Sequence, residues 1–153
     1  MSNTTARGRS GRLTDSPNRL LGAVFGVVYL LVGLLGFAYT GFSDFAGTDT
    51  NDKILGIFEV NPLHNIAHLL IGALLLFAAR AGVSAAKGAN TLVGAVYLLL
   101  GIVGLFILDS DANILSLNSA DNVLHLASAV LLLGVGLSQD KNVRADAPLV
   151  PGV

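Results

Sequence analysis

The stretch Asn61-Pro62-Leu63-His64-Asn65-Ile66-Ala67-His68 and its echo Asn118-Ser119-Ala120-Asp121-Asn122-Val123-Leu124-His125 decide how this chain reads. Each is a dense group of polar side chains that opens a long apolar run. The first leads into residues 63–79 and the second into residues 123–137. Asparagine is a strong N-cap, and proline suits the first helical position, where its missing N–H has no helical partner to lose. The first stretch is therefore a helix start, with His64 third in the helix. A neutral imidazole there can accept a backbone hydrogen bond. Asn118 caps in the same way. Asp121, third in its helix, reaches back to the cap and favours the positive helix end.

Two more apolar runs lie outside this pair, at residues 20–39 and 91–108. A helix needs about 20 apolar residues to cross hydrocarbon. None of the four runs carries the polar stripe that a soluble bundle helix needs. Only 12% of the 153 residues are charged, against about 25% in a soluble domain. The chain thus reads as an all-α membrane protein, a four-transmembrane-helix bundle with spans at about 20–39, 62–79, 90–108 and 120–137. The shorter second and fourth spans reach across if their polar first turns sit among the headgroups. Residues 1–19, with Arg7, Arg9, Arg12 and Arg19, read as a disordered basic cytoplasmic arm. The small-residue stretch holding Arg80 and Lys87 reads as a linker, and residues 139–153 as a flexible tail. The first run is long for a signal peptide and no A-x-A site follows it, so it is expected to be retained.

Eight of the nine Lys and Arg fall in the arm, the second loop and the tail. The first and third loops hold Lys53 and a set of acids: Asp44, Asp49, Asp52, Glu59, Asp109 and Asp111. By the positive-inside rule both termini are expected in the cytoplasm, in a multi-pass protein of the inner (plasma) membrane. Both histidine clusters then lie at the outer face. The scattered basic residues form no nucleic-acid surface. The expected partners are the lipid bilayer and either other membrane-protein subunits or further copies of the chain. With no cysteine, disulfides, thiolate metal sites and cysteine nucleophiles are excluded.

The halves resemble each other. Residues 26–37, GVVYLLVGLLGF, align without gaps on 94–105, GAVYLLLGIVGL, with seven of twelve positions identical. Asn61, Asn65 and His68 fall on Asn118, Asn122 and His125. The offsets are 68 and 57. Two spans per half insert both halves the same way round, which predicts two parallel-repeat helix hairpins about an axis along the membrane normal. Gly26, Tyr29 and Gly33 share a helix face, as do Gly94, Tyr97 and Gly101. These small-residue faces belong inside the bundle. Tyr29 and Tyr97 read as packing residues.

His68 and His125 lie about one turn, roughly 6 Å, deeper than His64 and Asp121. Asn65 and Asn122, three residues before them, share their faces and could orient the rings. Intramembrane ionisable groups usually face the bundle interior. Three readings stay open. In the first, Asn61, Asn65, Asn118, Asn122, Tyr29, Tyr97 and the histidines form an interhelix polar network. In the second, His64, His68, Asp121 and His125 hold a divalent metal, because two i, i+4 pairs supply three imidazoles and a carboxylate. In the third, His68 and His125 ligate a haem. Tyr29 and His68 lean in opposite directions along the bundle, so their tips are expected to diverge. No Ser–His–Asp set, phosphate loop or intramembrane carboxylate pair is apparent, which argues against hydrolase or NTPase activity.

N-P-x-H-N-x-x-H, A-D-N-x-x-H and the repeated G-x-V-Y-L-L-x-G together resemble the small, mostly actinobacterial membrane proteins of domain-of-unknown-function family 4383, over about residues 19–138. The resemblance implies a four-span inner-membrane protein and transfers no activity. The leading expectation is a non-enzymatic structural or accessory subunit of a membrane complex. The alternative is an outward-facing divalent-metal or haem-binding protein for transport, sensing or redox.

Overall fold

Ser16 starts the first helix by accepting the Arg19 backbone N–H, and Pro17 occupies the first helical position. The result is α1, Pro17–Thr40. In this computed structural model residues 12–48 and 50–141 are described. Asp49, the arm before residue 12 and the tail after residue 141 lie outside them. The helix thus begins before the apolar run does. Leu13–Asp15 form a 3-10 turn ahead of it, and Asn18 is fully buried.

Asn61 accepts the His64 backbone N–H and starts α2, Pro62–Ala81. Gly82, at φ 143°, is the whole link to α3, Val83–Ile107. The stretch read as a linker is therefore helical. Its alanines and Asn90 are small enough to pack at a helix crossing, and Ala86 and Asn90 are both fully buried. Asn118 and Asp121 form a reciprocal cap that starts α4, Ser119–Ser138. The loop between α1 and α2 contains a short antiparallel hairpin, β1 (Lys53–Ile54) and β2 (Phe58–Glu59), with Lys53 opposite Glu59. Leu55 and Gly56 both have positive φ, as a tight hairpin turn requires.

All four α-helices are long and apolar enough to cross a membrane. Their packing is that of a membrane bundle. The buried centre is Tyr29, Leu75, Val93, Tyr97 and Leu132 with several alanines. Large apolar side chains such as Leu31, Leu99, Phe106 and Val130 point outward. In lipid the outward face gains nothing from being polar, and close contact holds helices together.

The most extensive packing is of α1 on α2 and of α3 on α4. Glycines form both seams. A Cβ on Gly26 would stand 2.8 Å from the Leu76 amide nitrogen, and one on Gly94 would stand 2.8 Å from that of Leu133. Gly33 meets Leu69 and Gly101 meets Leu126; Gly36 meets Asn65 and Gly104 meets Asn122. Each contact in one seam maps onto the other by adding 68 to the glycine and 57 to its partner.

At the end that bears the termini, polar groups tie the helices. Ser16 Oγ, Asn18 N and Asn18 Nδ2 all donate to Asp140 Oδ2, at 2.8, 3.1 and 2.9 Å. Asn90 Nδ2 donates to Asn18, and Arg19 Nε donates to the Ala79 carbonyl at 2.8 Å. Burial pushes the Asp140 carboxyl up. Hydrogen bonds from Asn18 and Ser16, with Lys87 nearby, outweigh that and hold it below its ordinary value.

Candidate functional site

The site begins with the two caps at the opposite end. Asn61 Nδ2 donates to the Ile114 carbonyl at 2.8 Å, and Asn118 Nδ2 donates to the Ile57 carbonyl at 2.7 Å. Each cap thus ties its own helix to the loop of the other hairpin. Asn61 Nδ2 also donates to the Gly47 carbonyl. Ile54, Val60 and Leu117 are buried in these loops. The caps fix the register of α2 and α4, so about two turns in from each, His68 and His125 face each other.

The rings of His64, His68 and His125 pack together. Centroids are 4.6 Å apart for His64 and His68, 5.9 Å for His64 and His125, and 6.4 Å for His68 and His125. One ring nitrogen from each lies within 4.8 Å of the others, and all three residues are buried. His64 Nε2 and His68 Nε2 share a hydrogen bond of 2.9 Å, so one donates and the other accepts. Besides the backbone hydrogen bond open to His64 at a helix start, its ring thus has a side-chain partner. At i, i+4 its ring reaches His68 more directly, while the backbone of Glu59 and Leu115 runs alongside. Nδ1 of all three rings is buried with no hydrogen-bond partner among the described residues.

Asp121 does not join this convergent set. Its Oδ2 accepts the backbone N–H of Asn118 at 3.0 Å and of Glu59 at 3.2 Å. The capping geometry claims the carboxylate and turns it from the rings. His64 and Asp121 hold matching positions in their helices, yet one turns inward and the other to the backbone.

The tyrosines form the floor. Tyr29 lies 5.3 Å from His68, Tyr97 stacks on His125 at 4.9 Å, and the two phenol rings are 5.4 Å apart. The expected divergence of Tyr29 and His68 is corrected in part. Opposite leans separate the tips, but rings this wide still meet along their bodies. The Tyr29 hydroxyl has Ser128 and Tyr97 as neighbours rather than a histidine nitrogen. His64 and both phenols pack against His68 and His125.

The asparagines at the seams have other surroundings. Asn65 Nδ2 donates to Thr40 Oγ1 at 3.0 Å. Both amide atoms of Asn122 are buried without a partner among the described residues. A cleft of about 360 Å³ opens between α1 and α4 and ends on His68, His125 and Asp121. Sequence reasoning missed this cleft, together with Asn18, Asn90 and Asp140. An asparagine in the first turn of an apolar helix was the available signal for Asn18.

Four apolar crossing helices around a buried polar centre make this a multi-pass membrane protein. A family model described as "Domain of unknown function (DUF4383)" matches residues 19–138, and the chain belongs to that family. No curated protein and no solved structure matches it.

Proposed function

We propose that this membrane protein binds a divalent metal ion of the zinc type through His64, His68 and His125. The observation that carries the reading is the convergence of one ring nitrogen from each within 4.8 Å. Tetrahedral ligands at a Zn–N length near 2.0–2.1 Å sit about 3.4 Å apart. Side-chain rotation closes that difference. Three imidazoles leave a fourth position open, the pattern of a working rather than a purely structural zinc site. Imidazole donors also suit copper, iron or nickel. A doubly charged ion needs counter-charge in a medium this apolar. Asp121, which lines the same cleft as His68 and His125, supplies it from beyond the ligand shell.

In this reading the protein is two copies of one hairpin, joined head to head by Asn61 and Asn118. The Lys and Arg set the termini on the cytoplasmic side, so the ion is held near the outer face. Elemental analysis of the purified protein after equilibration with zinc tests the site. His68→Ala and His125→Ala are each expected to weaken binding more than about tenfold, since even outer-shell changes reach that size. Equal metal content in wild type and the double variant overturns the proposal and returns the cluster to a packing role.

A further inference from the structure

We infer that the cleft between α1 and α4 binds an isoprenoid quinone, entering sideways from the bilayer. The inference stands on the cleft and does not require the ion. Val24, Val28 and Val32 of α1 and Leu124, Ala127 and Leu131 of α4 form its walls. Val28 and Ala127 are exposed on the lipid-facing side. Ile54 and Phe58 of the hairpin close the loop end. The matching seam between α2 and α3 holds a void of only about 20 Å³, beside His64 and Tyr97. The opening is thus a departure from the symmetry of the bundle rather than a by-product of it.

Chemistry selects the occupant. At about 360 Å³ the cleft is within the range of small-molecule sites, roughly 300–1,000 Å³. Its walls suit a branched hydrocarbon tail. His68 and His125 line its polar end, and each keeps an Nδ1, buried behind the ring and without a partner among the described residues, that a turn of the imidazole about its Cβ–Cγ bond brings to the cleft. An imidazole N–H donates to a carbonyl oxygen, and burial makes an unmade bond costly. Phe25, Tyr29 and Phe58 present aromatic surface to a flat ring. No lysine or arginine lines the cleft, and Asp121 stands at its polar end. A phosphate or carboxylate head would meet an acid and find no cation. A neutral quinone carbonyl meets donors instead.

The test uses the purified full chain in detergent and a decyl-tailed 1,4-benzoquinone carrying an aryl azide. Light-driven labelling is expected to saturate at one quinone per chain, on peptides covering residues 24–32 and 124–131. Excess unlabelled decyl-benzoquinone should suppress it, and oleate or phosphatidylglycerol should not. Ala127→Trp and Val28→Trp, which fill the cleft from opposite walls, should each weaken labelling at least about tenfold, or about 1.4 kcal/mol. Val130→Trp, on an exposed face outside the cleft, should leave it unchanged. Circular dichroism verifies that the variants remain helical. Labelling that never saturates, survives both cleft variants, or yields to oleate or phospholipid overturns the inference. The cleft variants spare the ion ligands, so unchanged zinc content beside lost labelling separates this result from a failure of the metal reading.

Discussion

Asn65 and Asn122 hold matching places and differ in one partner. Asn65 reaches Thr40, whereas the position equivalent to Thr40 in the second half is Leu108, and Asn122 is left without a bond among the described residues. Interhelix hydrogen bonds in membrane proteins average about 0.6 kcal/mol. Thr40→Val should therefore destabilise by about 0.6 kcal/mol, and Leu108→Thr should stabilise by a similar amount by giving Asn122 its acceptor. Thermal unfolding of the two variants in one detergent checks both signs. At this scale much was legible. Asn61, Pro62, Asn118 and Asp121 announce themselves because capping is local chemistry. The pairing of His64 with His68 was legible only as spacing, since H-x-x-x-H fits a metal, a hydrogen bond or nothing. Which way His64 and Asp121 turn depends on loops folded over them, and no local rule encodes that.

Helix seams show what a single methyl group does. On Gly26 and Gly94 it would press on backbone atoms of the facing helix at 2.8 Å, and backbone cannot swing aside. Gly26→Ala and Gly94→Ala should each destabilise the bundle by roughly 1–3 kcal/mol, as overpacking does. Gly134, where an added Cβ would meet nothing within 4 Å, is the control. There alanine should be neutral or gain up to about 1 kcal/mol of helix propensity. Unfolding in graded denaturant separates the two outcomes, and equal effects at Gly26 and Gly134 would remove the seam argument. The four helices were readable from composition, because long apolar runs have few other uses. Their ends were less readable. Val83–Asn90 has the look of a linker, being rich in alanine and glycine. Yet the same smallness lets Ala86 and Asn90 bury completely. The two-residue strands Lys53–Ile54 and Phe58–Glu59 are too short for any period to reveal.

For the molecule as a whole, Arg12, Arg19, Arg80, Lys87 and Lys141 fall in the segments around the helix ends nearest the termini, and Asp44, Asp52, Asp109 and Asp111 in the loops at the other end. Lys53 belongs with the acids and pairs with Glu59 at 3.8 Å. The chain has no cysteine, so single thiols report cleanly on sidedness. A membrane-impermeant maleimide should label Ser110→Cys on intact cells and Gln139→Cys only after permeabilisation. The reverse pattern would invert the proposed orientation. The clasp at the terminal end has a consequence for biosynthesis. Ser16 and Asn18 leave the ribosome early, but Asp140, which receives their hydrogen bonds, follows 124 and 122 residues later. Each hairpin can zip along its own glycines as soon as its two helices are inserted. The stitch between the first helix and the last waits for α4 and the residue two beyond it, so the first hairpin can close along its glycines well before the clasp that ties it to the last helix can form.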